Sequence, residues 1–296
     1  MQNFSLKHDK QTIHYEAITN DSHSANILFL HGLASNATRW RELMQSTSLQ
    51  QHANLYAMNI RGHGRSTTFK YFQRQHWCND TRMFIQSLNK PTIIVGHSMG
   101  AQIALDYASQ HPDDVRALVL IDPVFPHALS GLLAKVARLR WLLLVASKVV
   151  RLFSRLGIHK RAYPYRDLQK LDQDTRAFLS TNPDKSIADL YMSPLVDLQF
   201  IPLVNYLQDL YEVTRELPDL STIQTPVLVL LSSGASTSHV DENKKILAKL
   251  PNLETKIIHA DHWLLTEKPD EARDVIDSWC LQRLKQNHSA PNKKRP

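Results

Sequence analysis

Residues 92–105 read TIIVGHSMGAQIAL, and this stretch decides the fold. It begins with four β-branched residues typical of a strand, turns at the pattern Gly-x-Ser-x-Gly, and continues with the apolar spacing of a helix. In such a turn the serine hydroxyl projects above the end of a sheet. We expect glycine at Gly96 and Gly100 because a Cβ there would collide with the neighbouring strand and helix. Ser98 is therefore the candidate nucleophile.

Short runs rich in Val, Ile and Leu recur on both sides of this stretch. The predicted strands are Ile27–Leu30, Leu55–Ile60, Thr92–Val95, Ala117–Ile121, Val227–Leu231 and Thr255–Ile258. The predicted helices include Ala101–Gln110, Asp241–Leu250 and Asp270–Lys285. Apolar strands that alternate with helices indicate a parallel sheet covered on both faces. The first 20 residues alternate more and predict an antiparallel hairpin at the edge of the sheet. We therefore expect an α/β fold with a mostly parallel, doubly wound, eight-stranded sheet.

The alternation stops between Pro123 and about Asp219, where helices and loops replace the strands. We therefore predict a core made of residues 1–123 and 220–286, with a helical cap inserted at residues 124–219. The polar, Pro- and Lys-rich residues 287–296 are predicted to form a disordered tail.

Composition excludes several classes of protein. The 296 residues are 43% hydrophobic, which is too apolar for a disordered chain, and no run of apolar residues reaches the length of a membrane span. The two cysteines, Cys78 and Cys280, fit neither a disulfide framework nor a zinc site. The sequence begins without the pattern of a signal peptide, so we expect a cytoplasmic location. No phosphate loop or metal-ligand cluster stands out, so we expect no cofactor.

A serine nucleophile needs a histidine to accept its proton, a carboxylate to orient that histidine, and two N–H donors for the oxyanion. Met99 follows Ser98 at the start of a helix, which makes its N–H one candidate donor. The other candidate is the N–H of Leu33, which follows the His31-Gly32 turn after the first parallel strand. His31 itself is interpreted as a structural residue.

With these motifs the chain resembles the α/β-hydrolase superfamily, in the branch with a serine nucleophile and a helical cap. The matching segments are FLHGLASNATRW, NIRGHGRS, IIVGHSMGAQIAL, LVLIDPV, TPVLVLL and HADHWLLTEKPDE. The resemblance implies the chain order nucleophile, acid, histidine. It favours His262 as the histidine, whereas His259 is interpreted as packed or capping at the strand end. It says little about the substrate, because this fold carries many activities.

The position of the acid departs from the common pattern of this family. Most relatives carry it after the strand that here is Val227–Leu231, but residues 232–240 contain no carboxylate. Some relatives carry it one strand earlier, which makes Asp122 the candidate acid. Asp241 is interpreted as the N-cap of the next helix, and Asp261 is the remaining alternative.

Basic residues are concentrated in the predicted cap. Residues 127–166 contain nine Lys and Arg residues and no Asp or Glu, whereas the net charge of the whole chain is +7. With 3.6 residues per turn, four of them share one side of a helix: Arg140, Lys148, Arg151 and Arg155. Three interpretations stay open: a solvated basic face whose apolar side closes a pocket, contact with an anionic membrane, or attraction of anionic substrates. Nucleic-acid binding is disfavoured because no recognition motif accompanies the charge.

Together these features predict a cofactor-free serine hydrolase that acts on a carboxylic ester, a thioester or a lipid ester. His262 would activate Ser98, Asp122 would orient His262, and the N–H groups of Leu33 and Met99 would bind the oxyanion. Three alternatives stay open: a carbon–carbon bond hydrolase of the same fold, an acyltransferase, and a non-catalytic ligand-binding protein on the same scaffold.

Overall fold

The computed structural model describes residues 1–8, 11–234 and 239–285, and its strands form one eight-stranded sheet within those ranges. The strands are β1 (Gln2–His8), β2 (Gln11–Ile18), β3 (Asn26–Leu30), β4 (Asn54–Met58), β5 (Thr92–His97), β6 (Val115–Ile121), β7 (Val227–Ser232) and β8 (Leu253–Ile258). Their order is β1-β2-β4-β3-β5-β6-β7-β8. The pairs β1–β2 and β2–β4 are antiparallel and the other pairs are parallel. The predicted fold class is confirmed, while the predicted tail lies outside the described residues.

Helices cover both faces of this sheet. They are α1 (Arg41–Ser46), α2 (Arg74–Leu88), α3 (Met99–Gln110), α4 (Gly131–Arg138), α5 (Arg140–Arg155), α6 (Leu168–Thr181), α7 (Ile187–Tyr191), α8 (Pro194–Asp197), α9 (Leu203–Val213), α10 (Val240–Leu247), α11 (Leu264–Glu267) and α12 (Pro269–Lys285). Helices α2, α3 and α10 pack on one face, and α1 and α12 pack on the other.

Each central strand contributes side chains to two buried clusters, one on each face of the sheet. In β3, Leu28 and Leu30 belong to the cluster on the α3 side, whereas Ile27 and Phe29 belong to the cluster on the α12 side. All five residues of β3 are buried. Because both faces are covered, apolar side chains are favoured on both sides of the strand, which explains the apolar run Ile27–Leu30.

The segment between β6 and β7, residues 122–226, carries helices α4 to α9 and no strand, and its whole backbone is described. It leaves the sheet at the carboxyl end of β6. That same edge collects the loops after β3, β5, β7 and β8, because these strands are parallel to β6. In open α/β sheets this edge is where ligands bind. The cap boundaries at residues 124 and 219 stay a prediction.

Candidate active site

Ser98 occupies the sharp turn between β5 and α3. Its backbone angles are φ +53° and ψ −114°, a combination that residues with side chains rarely adopt. The turn is tight because two glycines allow backbone contacts on either side of it. A Cβ on Gly96 would lie 2.5 Å from the carbonyl oxygen of Gly100, and a Cβ on Gly100 would overlap the carbonyl group of Leu30. The glycines of the motif are therefore required by the close approach of strand and helix.

Asp122 and His262 meet at the carboxyl edge of the sheet. Oδ2 of Asp122 lies 2.6 Å from Nδ1 of His262, and both side chains are buried. Burial by itself raises the pKa of the Asp122 carboxyl, but the hydrogen bond and charge of His262 and two hydrogen bonds from Ser232 hold that pKa below its usual value. The carboxylate is therefore kept in its charged form beside the imidazole.

Ser232 is a partner of this pair that the sequence analysis did not identify. It ends β7, immediately before the turn that carries the acid in most relatives. Its N–H donates to Oδ1 of Asp122 at 2.9 Å, and its hydroxyl donates to the same oxygen at 3.0 Å. The only signal in the sequence is a small polar residue at that strand end. β7 thus supplies hydrogen-bond donors to an acid that directly follows β6.

His97, the residue before Ser98, is a second partner that the sequence analysis missed. Its Nε2 lies 3.0 Å from the carbonyl oxygen of His262, and the two imidazole rings are 4.8 Å apart. Burial, with a further contribution from His262, lowers the pKa of His97 to about 3, so the ring is neutral. Because a carbonyl oxygen only accepts, Nε2 of His97 carries the proton and donates it. His97 therefore holds the backbone of the loop that presents His262.

Leu33, in the loop after β3, and Met99, at the start of α3, are the predicted oxyanion donors, and the two segments approach each other. A Cβ on Gly32 would lie 3.3 Å from Cβ of Ser98, so the loop after β3 passes directly against the turn. Met99 is the first residue of α3, and its N–H has no acceptor within the helix. Throughout the described chain, no group accepts a hydrogen bond from the N–H of Leu33 or Met99.

Two other histidines lie near the ends of β3 and β8. His31 is fully buried, and its Nε2 accepts a hydrogen bond from the N–H of Ile60 at 3.1 Å, which ties the end of β3 to the end of β4. Its interpretation as a structural residue is confirmed. His259 is exposed, one residue beyond the end of β8. The interpretation that it packs at the strand end is wrong, because the chain has already left the sheet, while the alternative that it caps the strand end stays a prediction.

Two further carboxylates follow β7 and β8 in the chain. Asp241 is the second residue of α10 and His239 is the N-cap, so the prediction that Asp241 caps this helix is wrong by two positions. Its side chain is 88% exposed and lies 3.8 Å from Lys244, in the first turn, where a negative charge favours the helix. Asp261 accompanies His262 in the loop after β8, and its N–H donates to Glu267 at 2.9 Å.

A cavity of about 190 Å³ lies beside Ser98 and His262, and both residues line it. Much of its wall is aliphatic and comes from the segment between β6 and β7: Leu168, Leu171, Leu190, Met192, Leu210 and Val213. No residue of α5 is among the described residues of the wall, and the apolar side of α5 is exposed. The interpretation that this apolar side closes the pocket is therefore wrong.

The charged groups of the cavity are paired with one another. Arg39 forms an ion pair with Asp172, and Arg166 lies 3.6 Å from Asp197. Burial raises the pKa of Asp197 to about 6, although Arg166 and Arg39 act in the opposite direction. Both cavity arginines therefore already have a carboxylate partner, which leaves the aliphatic wall as the main contact surface for a ligand.

Comparison with known proteins agrees with this fold. A family model described as the alpha/beta hydrolase fold matches residues 25–269. A Haemophilus influenzae protein with the provisional name esterase/lipase is 26% identical over 270 residues, covering 90% of this chain and 84% of that protein. Ethanol acetyltransferase 1 of Wickerhamomyces ciferrii is 24% identical over 265 residues, covering 84% of this chain and 66% of that protein. The structure of the enol-lactonase from Burkholderia xenovorans LB400 matches in fold, with a TM-score of 0.69 at 14% identity over 94% of this chain and 99% of that one.

Proposed function

This chain belongs to the α/β-hydrolase family, and on that premise we propose that it is a serine hydrolase that cleaves a carboxylic ester with a small apolar acyl group. The observation that carries the proposal is the 2.6 Å contact between Asp122 and His262 at a cavity that Ser98 also lines. A histidine oriented by a buried carboxylate is the general base that a serine nucleophile requires.

In the proposed acylation step, Oγ of Ser98 bonds to the ester carbonyl carbon while its proton passes to His262. The carbonyl oxygen becomes an oxyanion and accepts hydrogen bonds from the N–H groups of Leu33 and Met99. The bond to the alcohol oxygen then breaks, the alcohol takes the proton from His262, and the acyl group stays on Ser98. Asp122 remains ionised and stabilises the imidazolium. A water molecule then repeats the sequence, which releases the acid and restores the serine.

The size and lining of the cavity support a small apolar acyl group. A volume of about 190 Å³ is below the range of roughly 300–1,000 Å³ that is usual for pockets that hold drug-sized ligands. Aliphatic walls offer contacts to an acyl chain and few to a charged one. On a series of p-nitrophenyl esters, kcat/KM is expected to be highest for short to medium acyl chains and to fall for long ones.

Labelling with a fluorophosphonate tests the nucleophile, because only an activated serine reacts quickly. The wild-type chain should be labelled, and Ser98→Ala should lose the label together with several orders of magnitude in kcat. Ser35→Ala changes another serine that lines the cavity and should leave labelling intact. A folded wild-type chain that resists the probe would instead favour a non-catalytic, ligand-binding protein.

Acyl transfer is the second candidate, and the similarity to an ethanol acetyltransferase favours it. The acylation step is the same, but an alcohol replaces water in the second step. Adding ethanol to a p-nitrophenyl acetate assay separates the two: a hydrolase forms acetate, whereas a transferase forms ethyl acetate as the main product.

A further inference from the structure

Exposed apolar side chains are concentrated in one stretch of the segment between β6 and β7. Nine of the seventeen large hydrophobic residues that are exposed in the described chain lie at positions 139–158. Single exposed apolar residues are ordinary, but a contiguous patch indicates a contact surface. Five of them, spaced by three and four residues along α5 and its C-cap, share one side of the helix, here called the outer face: Leu142, Val145, Val149, Leu152 and Leu156.

The opposite, polar side of α5 is the side that meets the protein. Ser147 is buried and its hydroxyl donates to Oε1 of Gln208 on α9 at 3.0 Å. Arg151 is also buried, and its guanidinium donates to the carbonyl oxygen of Phe69 at 3.0 Å. Ser154, one turn from Arg151, is buried as well. Since these inward contacts of α5 are polar, the helix is seated with its apolar side outwards.

Unopposed positive charge accompanies the outer face. Residues 127–166 contain no Asp or Glu. The exposed basic residues on and beside α5 are Lys135, Arg138, Arg140, Lys148, Arg155, Lys160 and Arg161. A second copy of this chain placed on the patch would bring like charges together, which disfavours association. An anionic surface would instead gain both apolar contact and charge neutralisation.

We propose that the outer face of α5 docks this protein on an anionic phospholipid bilayer. The helix lies in the plane of the headgroups with its outer face towards the acyl chains, while Lys148 and Arg155 extend to the phosphates. Trp141 is 61% exposed at the start of the helix, and tryptophan favours this interfacial depth. Since no helix of the described chain is long and apolar enough to cross a bilayer, the contact is peripheral.

The docking surface is linked to the candidate active site through α9. Helix α5 packs on α9, and α9 contributes Tyr206, Leu210 and Val213 to the wall of the cavity. Docking therefore brings α9, which forms part of the cavity wall, towards a phase in which apolar esters concentrate. The surface itself does not depend on the proposed hydrolase activity, because none of its residues lines the cavity.

Sedimentation of the full chain with vesicles tests the surface. The chain should bind vesicles of phosphatidylcholine with added phosphatidylglycerol, bind phosphatidylcholine alone more weakly, and lose affinity as salt is raised. Ser98→Ala should bind as the wild type does, which separates docking from catalysis. Absence of binding to both kinds of vesicle overturns the proposal.

Two pairs of variants locate the binding. Leu152→Glu with Leu156→Glu should reduce binding at least about tenfold, because two large apolar contacts are lost, whereas Ile257→Glu, on the exposed side of β8, should not. Lys148→Glu with Arg155→Glu should weaken binding far more than Lys249→Glu with Lys256→Glu, which makes the same change in net charge elsewhere. Equal losses within either comparison would show that the binding is not at α5.

A measurement on Trp141 keeps the proposal testable even if the glutamate variants do not fold. Brominated acyl chains should quench the fluorescence of the wild-type chain, and Trp141→Phe should remove most of that quenching, because the other four tryptophans lie elsewhere in the chain. Quenching that is unchanged in Trp141→Phe contradicts the proposal. A dimer in sedimentation velocity that Leu152→Glu with Leu156→Glu dissociates would also overturn it, because a second copy would then cover the outer face.

Discussion

The carboxyl ends of β6 and β7 lie side by side, and they contribute differently to one interaction. The end of β6 leads to the carboxylate that accepts hydrogen bonds, and the end of β7 provides the donors. The chain after β6 carries Asp122, a buried carboxylate that accepts from His262. β7 ends at Ser232, which donates twice to that carboxylate. The N–H of Asp122 also donates to the carbonyl oxygen of Leu230 in β7, at 2.8 Å, so the two strand ends are joined by the backbone as well.

This difference shows what a buried acid requires in addition to its histidine. An ionised carboxylate accepts hydrogen bonds at two oxygens, and leaving one of them buried without a donor is costly. Oδ2 of Asp122 faces His262, while Oδ1 is satisfied by Ser232. In most relatives the acid follows the strand that corresponds to β7. Here it can follow β6 because Ser232, at the end of β7, donates hydrogen bonds to it.

Replacing the carboxylate that follows β6 by an amide should have the largest effect on turnover. Asp122→Asn keeps the shape but removes the charge and favours the wrong tautomer of His262, at a cost of about 10⁴ in kcat. Asp261→Asn removes the carboxylate next to His262 in the chain and should change kcat little. If the two variants exchange these outcomes in an ester-hydrolysis assay, Asp261 and not Asp122 is the acid.

Removing one donor from β7 should have an intermediate effect. Ser232→Ala deletes the hydroxyl bond to Asp122 but keeps the backbone bond, and a hydrogen bond to a charged group contributes about 1.5–3 kcal/mol, or roughly 10–100-fold in rate. Because the hydroxyl supports the carboxylate that orients His262 and does not line the cavity, kcat should fall while KM changes little. Ser233→Ala, at the exposed neighbouring position, is the control. An unchanged kcat in Ser232→Ala would mean that the hydroxyl of Ser232 does not support the acid.

The sheet and the turn at Ser98 could be predicted because each depends on residues that are close together in the sequence. Burial on both faces leaves continuous apolar runs, and close backbone approach leaves glycines at fixed spacing. The structure also brings Asp122 and His262 together, while their catalytic roles stay a prediction. The contacts of Ser232 and His97 could not be predicted, because they depend on which loops meet at the sheet edge rather than on the residues next to them in the chain.

The orientation of α5 could not be predicted for a related reason. The sequence shows which residues share a side of the helix, but not which side meets the rest of the protein. In the structure α9 presents buried polar residues, among them Gln208 and Glu212, and the polar side of α5 fits them. The usual expectation that apolar sides face inwards fails here because the partner helix is itself polar at the interface.

β5 lies on the other side of β6, and its last residue, His97, should make the stability of the protein depend on pH. The pKa of His97 is about 3 in the folded chain and about 6.5 in the unfolded chain. Between these two pH values the ring is therefore protonated in the unfolded chain and neutral in the folded one. The free energy of unfolding should therefore fall as pH decreases from about 6.5 towards 3, by up to about 1.4 kcal/mol per pH unit from this group. His97→Gln keeps a donor for His262 and should flatten this slope, whereas His52→Gln, on the surface, should not. Denaturant unfolding at several pH values gives the slope, and equal slopes in the wild type and His97→Gln would contradict the buried neutral ring.

The smallest effect is expected for the carboxylate that follows β7 in the sequence. Asp241 lies in the first turn of α10, where its side chain is 88% exposed and lies 3.8 Å from Lys244, whereas the ring of His262 is buried. Asp241→Asn removes only a favourable charge near the start of the helix, which should lower the free energy of unfolding by less than about 1 kcal/mol and leave kcat/KM unchanged. Measuring both quantities beside Asp122→Asn completes the comparison of the two strand ends. Loss of turnover in Asp241→Asn, with turnover retained in Asp122→Asn, would return the acid to the place it has in most relatives and would remove the role assigned here to Ser232.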